Sequence, residues 1–167
     1  HLASRRQRQM CIRDRLFTGC ENSKSSDLSK ASSEAEKFIA TQFDFFSNNS
    51  LDQAKMTFAE DAILIGTDAA EYLVGWEEIE PSVKGQLVIK DPVFSSKNLN
   101  VFMSNSGDMA SYTQKLDFTY TIDGEPGEVK GVRNSGVIKK IDGYWKIIQI
   151  HWSIGLEGQA VEYEITE

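Results

Sequence analysis

Beyond residue 1 the chain carries a single histidine, His151, and its imidazole is the first candidate for moving a proton. It stands in the run Trp145-Lys-Ile-Ile-Gln-Ile-His-Trp-Ser153, apolar on both faces, which reads as a central strand. Strict alternation puts His151 on the side of Trp145, Ile147, Gln149 and Ser153, and Trp152 on the side of Ile148 and Ile150. A second run, Ala110 to Thr121, offers hydroxyls at Tyr112 and Tyr120 and an amide at Gln114 on one face, with Asp117 on the other. His151, Tyr112 and an acid would form a general acid–base set if one apolar pocket held all three, since burial tunes proton affinity. The competing reading of a lone strand histidine is a hydrogen-bonded core or interface residue. Trp76, Tyr112, Trp145 and Trp152, with Gln149, would line an apolar ligand site or simply fill a core.

Other chemistries are poorly served. Cys11 and Cys20 are the only cysteines, so the 147 residues after Cys20 carry neither a disulfide nor a thiolate metal site. One histidine without cysteines argues against a transition-metal centre, and no nucleotide-binding loop is present, so no cofactor is expected.

With 167 residues, 40% of them hydrophobic and 26% charged, the chain suits one buried core plus a tail. The net charge of −7 conceals an asymmetry. Five of the eighteen basic residues and one acid fall within the first fifteen positions, leaving 13 basic against 24 acidic residues in the remainder, or −11. A surface that acidic repels phosphate backbones, and no basic stripe with interleaved aromatics offsets it, which argues against a nucleic-acid partner. No run of eighteen apolar residues is present to span a membrane as a helix.

Residues 1–15 have no apolar period. Met10-Cys11-Ile12-Arg13-Asp14-Arg15 resembles a translated sequencing-library adaptor, which would make the segment a reading-frame artefact of a shotgun-assembled, metagenomic gene; the alternative is a natural basic tail. Leu16-Phe17-Thr18-Gly19-Cys20 resembles the end of a bacterial lipoprotein signal, in which the cysteine becomes the lipidated first residue of the mature chain. Phe17 stands where leucine is usual, and the upstream apolar core is missing. On this reading residues 16–32 are a signal remnant, Cys20 and a serine-rich flexible tether, and the protein sits at the bacterial cell envelope. The alternative is a cytoplasmic protein with an incidental cysteine.

The elements follow from the spacing. Ser33-x-x-Glu36 is a capping-box pattern, followed by Ala35, Phe38, Ile39, Gln42, Phe45 and Phe46 at helical intervals ending near Asn48-Asn49. Ser50-x-x-Gln53 caps a short second helix carrying Leu51, Ala54 and Phe58. Ala62 to Gly66 reads as a buried strand and Thr67 to Ala70 as a turn. A third helix aligns Trp76, Ile79, Val83 and Leu87, with Pro81 expected to kink it or to delay its regular part. From Val93 the period changes to 2, and Asp123-Gly124 and Asp142-Gly143 mark hairpin turns between successive strands. Helices first and meandering strands afterwards argue for an α+β fold, with an antiparallel sheet wrapped against the helices.

That order, with the runs Phe58 to Asp68, Gly75-Trp76-Glu77-Glu78-Ile79 and Asp142 to Ser153, resembles the nuclear transport factor 2-like superfamily in its SnoaL-like branch, over about residues 33–155. The final hairpin is also similar to that of the association domain of calcium/calmodulin-dependent protein kinase II. The resemblance implies a cone, N-terminal helices packed in a strongly curved sheet, with a pocket at its mouth, and a homodimer. It implies Asp61 and Asp68 near that mouth, where they compete with readings as a solvated strand-entry charge and a turn former. It also implies an arginine in the strand before the last hairpin, here Arg133: an inward Arg133 would hold a carboxylate or phosphate, an outward one a weak surface pair. The fold hosts many activities, so function rests on the site. The leading expectation is a small-molecule-binding domain. The alternatives are a cofactor-independent lyase, isomerase or hydrolase acting through His151, Tyr112 and Asp61 on a small apolar substrate, and an oligomerisation or protein-interaction module.

Overall fold

In a computed structural model that describes residues 18–155, with side chains from residue 25, the helical periodicity resolves into four segments: α1 (Thr18–Thr41), α2 (Asp44–Ser47), α3 (Leu51–Thr57) and α4 (Trp76–Gln86). The adaptor-like run, the residues after 155 and the Cys20 side chain lie outside what is described. The strands are β1 (Phe58–Ile65), β2 (Tyr72–Val74), β3 (Lys90–Met103), β4 (Met109–Ile122), β5 (Glu125–Ile141) and β6 (Tyr144–Ser153), ordered β2-β1-β6-β5-β4-β3 in one sheet.

The sheet is mixed, which corrects the antiparallel expectation. β3 to β6 form an antiparallel meander, and β6 returns beside β1 running in the same direction. β2 adds a short antiparallel edge to β1.

Local chemistry accounts for most boundaries. The Ser50 hydroxyl accepts the Gln53 N–H at 3.2 Å and caps α3 as expected. Phe58 opens β1 rather than closing that helix. The Glu78 carboxylate reaches back to the Val74 N–H at 2.7 Å and fixes the start of α4. Pro81 is carried inside α4, which runs unbroken through it. Both Asp-Gly pairs take positive φ at each residue, 53° and 85° at Asp123-Gly124 and 53° and 83° at Asp142-Gly143, the geometry that two-residue hairpins favour.

α1 begins at Thr18, well before the Ser33 cap. Its buried stripe explains part of the extension: Ala31 as well as Ala35 and Ile39 is buried, and Ala31 and Leu28 close over the turn at Gly107. Glu34 anchors the helix to β5 through Lys140 at 2.6 Å, and this hydrogen bond holds the Glu34 carboxyl below its ordinary range.

The helices cover one face of the sheet. Ile39, Phe43, Ile79 and Val83 meet Tyr112, Leu116, Val132, Ile138, Ile147 and Ile150 in a continuous core. Fully burying each such side chain contributes about 1.5–3 kcal/mol. Two bulges shape the sheet. On β5 an extra residue near Gly131 (φ 68°) separates the pairs Leu116–Val132 and Phe118–Val129, and Asp117 accepts the Gly131 N–H at 2.8 Å. On β6 Ile148 is the extra residue, because Ile138 faces Ile147 while Val137 faces Gln149.

Candidate functional site

The Ile148 bulge decides which side chains face inward at the end of the fold. Before it Trp145 and Ile147 are buried; after it the alternation slips by one, so Ile150 and Trp152 point inward and Gln149, His151 and Ser153 point outward. Trp152 reaches Phe43, ring centroids 4.9 Å apart, and Phe43 in turn reaches Phe94 at 5.0 Å. Phe46 and Phe118 flank Phe94 at 6.0 and 5.5 Å. Between this aromatic wall and β1 and α4 lies a cavity of about 330 Å³, lined also by Leu64, Val83 and Val132.

Its polar lining residues are few: Thr67, Glu71 and Gln86. Glu71 is the one ionisable side chain among the described lining residues. The Glu71 carboxylate lies over Gly66, whose missing side chain leaves it room, and accepts the Asp68 N–H at 3.2 Å.

Of the residues expected to bind a ligand, Trp152 lines this cavity and the others do not. Trp76 packs on Phe58 at 6.1 Å in the core, and Trp145 is buried beneath the Lys140 ammonium, 5.2 Å from its ring. Gln149, His151 and Arg133 face away from the helices, and the Arg133 guanidinium donates to the Ile154 carbonyl at 3.3 Å. The outward alternative for Arg133 is therefore the one observed.

The expected catalytic set is not assembled. Tyr112 is 1% exposed, and its hydroxyl donates to the Gln42 amide oxygen at 2.7 Å. Burial pushes the Tyr112 phenol well above its ordinary value, with the Gln42 bond a smaller opposing influence. Asp61 is exposed on β1, a solvated strand charge, and Asp68 accepts the Ala70 N–H at 2.8 Å as a turn former. His151 lies on the opposite face of the sheet from Tyr112, because the bulge moved it there. Among the described residues no cluster of His, Cys, Asp or Glu could hold a metal ion.

Glu71 and the Phe43–Phe94–Phe118 wall were missed by sequence reasoning. Phe118 stood on the apolar face of its strand, but nothing local marked Glu71 beyond its place just after the Thr67–Ala70 turn.

The sequence and the fold, helices over a mixed sheet, match known proteins. A SnoaL-like domain profile aligns with residues 36–157. The chain belongs to the SnoaL-like domain family. Its fold is nuclear transport factor 2-like, also called cystatin-like, as solved structures show. A protein from Xanthomonas campestris, provisionally named a calcium/calmodulin dependent protein kinase II association domain, is 25% identical over 74% of this chain and 87% of its own, with a TM-score of 0.67. A provisionally named scytalone dehydratase from Novosphingobium aromaticivorans shares the fold at 14% identity, covering 77% of this chain and 86% of its own, TM-score 0.67. A nuclear transport factor 2-like superfamily protein from Salmonella enterica is 18% identical over 81% and 99%, TM-score 0.67. No curated protein is significantly similar to the chain in sequence.

Proposed function

We propose that this SnoaL-like domain binds a small, uncharged, largely apolar molecule, ring-shaped for preference, in the cavity between its sheet and its helices. The observation that carries this reading is the cavity itself: about 330 Å³, walled largely by aromatic and aliphatic side chains, with only Thr67, Glu71 and Gln86 as polar side chains among the described lining residues. That volume lies at the lower end of the roughly 300–1,000 Å³ of small-molecule sites, and its make-up of apolar walls with few polar groups is typical of them. A neutral naphthylamine fluorophore tests it. The protein should bind the dye saturably, and Val132→Trp, which fills the cavity from β5, should weaken binding at least about tenfold while leaving far-UV circular dichroism intact. Equal binding by both proteins would sink the proposal.

A cofactor-independent enzyme is the second reading. It rests on Glu71, the one ionisable side chain among the described residues that line the cavity, rather than on His151, Tyr112 and Asp61. A Glu71→Gln variant that keeps dye affinity but loses turnover of a bound substrate would favour it.

The same proposal includes a homodimer formed through the outer sheet face, supported by Phe102, 64% exposed there on the β3 edge. Sedimentation velocity of Phe102→Asp tests it, with a pure monomer expected. It also includes a lipid anchor at Cys20 in a bacterial envelope, supported by the Leu16–Cys20 run. Detergent-phase partitioning should then disappear in Cys20→Ser.

A further inference from the structure

The outer face of the sheet carries a second depression, of about 320 Å³, with a chemistry opposite to the cavity's. The strand registers set two rows across it. Lys97, Lys115, Arg133 and Ser153 stand opposite one another on β3, β4, β5 and β6, and Asn100, Thr113, Ser135 and His151 form the next row. Directly opposed residues on one face have Cβ atoms roughly 4.5–5.5 Å apart, and like charges so placed destabilise a sheet. Lys97 is neutralised by Asp117. Lys115 and Arg133 are not: no acidic side chain lines the depression, and neither residue makes an ion pair among the described residues.

In a chain whose acids outnumber its bases 25 to 18, two opposed cations without a carboxylate between them are a conspicuous arrangement. The surrounding groups add to it. The Thr113, Ser135 and Ser153 hydroxyls and the His151 ring, all lining the same depression, supply further hydrogen-bonding groups. The Arg133 fork matches the two oxygens of a carboxylate or phosphate, and Lys115 contributes a point charge beside it.

We propose that this depression is a small-oxyanion site, in which a carboxylate or phosphate group bridges Lys115 and Arg133 and accepts further hydrogen bonds from the Ser135 and His151 side. It is independent of the apolar cavity, which lies across the sheet.

The test titrates acetate and, separately, inorganic phosphate into the isotopically labelled protein at constant ionic strength, with chloride as the control. Saturable amide shifts centred on Lys115, Arg133, Ser135 and His151 are expected, absent with chloride. The tighter of the two anions identifies the head group. Arg133→Gln should weaken binding roughly tenfold or more, Lys115→Gln less, and Arg133→Lys should impair acetate more than phosphate because the fork is lost. Dye binding in the cavity should stay unchanged in all three, so failure here is separable from failure of the cavity reading. Should Arg133→Gln not fold, Lys115→Gln and Arg133→Lys carry the test. The proposal is overturned if chloride produces the same shifts, or if the variants respond as wild type. It is equally overturned if Arg133→Gln dissociates a dimer without altering the acetate response, since the anion would then be a carboxylate of a second copy.

Discussion

Gly136 sits where the core is least able to yield, and its replacement by alanine gives a sharp test of the packing. A methyl group built there would lie 2.7 Å from the Gln149 carbonyl oxygen and 2.8 Å from both the Cε1 and the hydroxyl of Tyr112. The carbonyl belongs to β6, which is locked between β5 and β1, so it has little freedom to move. The Tyr112 ring, directly opposite Gly136 in the register, must shift instead. Overpacking of this kind costs about 1–3 kcal/mol. Displacing the ring also breaks its hydrogen bond to buried Gln42, a further cost of about 1–3 kcal/mol for the group left unpaired. Together Gly136→Ala should lose about 2–6 kcal/mol, lowering the melting temperature by roughly 4–24 °C in calorimetry. Coupling is the finer check. In a Tyr112→Leu background, which removes the ring, the alanine should cost at least about 1 kcal/mol less. A Gly136→Ala protein within about 0.5 kcal/mol of wild type would refute the reasoning.

Three other outcomes follow from particular contacts. Tyr112 keeps its proton in the folded state after an unfolded chain has released it, because burial raises the phenol. Stability should therefore be full below about pH 10 and fall above it, by about 1.4 kcal/mol per pH unit, and Tyr112→Phe should remove that share of the alkaline slope in urea titrations. At neutral pH the same variant leaves the Gln42 oxygen unpaired and should lose about 1–3 kcal/mol. Gly131 holds φ at 68° in the β5 bulge, so Gly131→Ala should cost about 1–2 kcal/mol and Gly131→Asn clearly less, measured by denaturant midpoints. Deleting Ile148 removes the β6 bulge and turns either Trp145 or Trp152 outward. Red-shifted tryptophan emission and loss of dye binding are expected, and an unaltered spectrum would contradict the inward placement of Trp152.

What the sequence disclosed and what it hid divide along a physical line. Signals confined to a few neighbouring residues were legible. The two Asp-Gly turns, the Ser50 cap and the Trp76–Ile79–Val83 stripe all stand where their local chemistry put them, and so does the change of period near residue 93. Features set by pairing between distant segments were not. The Ile148 bulge has no local marker, yet it reverses the face of every later residue, which is why His151 was grouped with Trp145 and found opposite it. Likewise Arg133 is outward because β5 passes its own bulge near Gly131 before reaching it. The parallel β1–β6 contact depends on where the meander ends, and α1 extends beyond its apparent cap because Ala31 finds a partner surface only in the folded domain.

The pairing of β1 with β6 also has a consequence in time. Phe58 meets Ile147, 89 positions later in the chain, so the first strand waits for the last to be synthesised. At roughly 5–20 residues per second that interval is roughly 4–18 s. Throughout it the uncharged run Ala62-Ile63-Leu64-Ile65 has β2 on one edge and nothing on the other, a segment of the kind that seeds intermolecular strands. Slower unfolded-chain encounters, through lower temperature or a chaperone that shields this strand, should therefore raise the soluble yield more than any stabilisation of the finished fold.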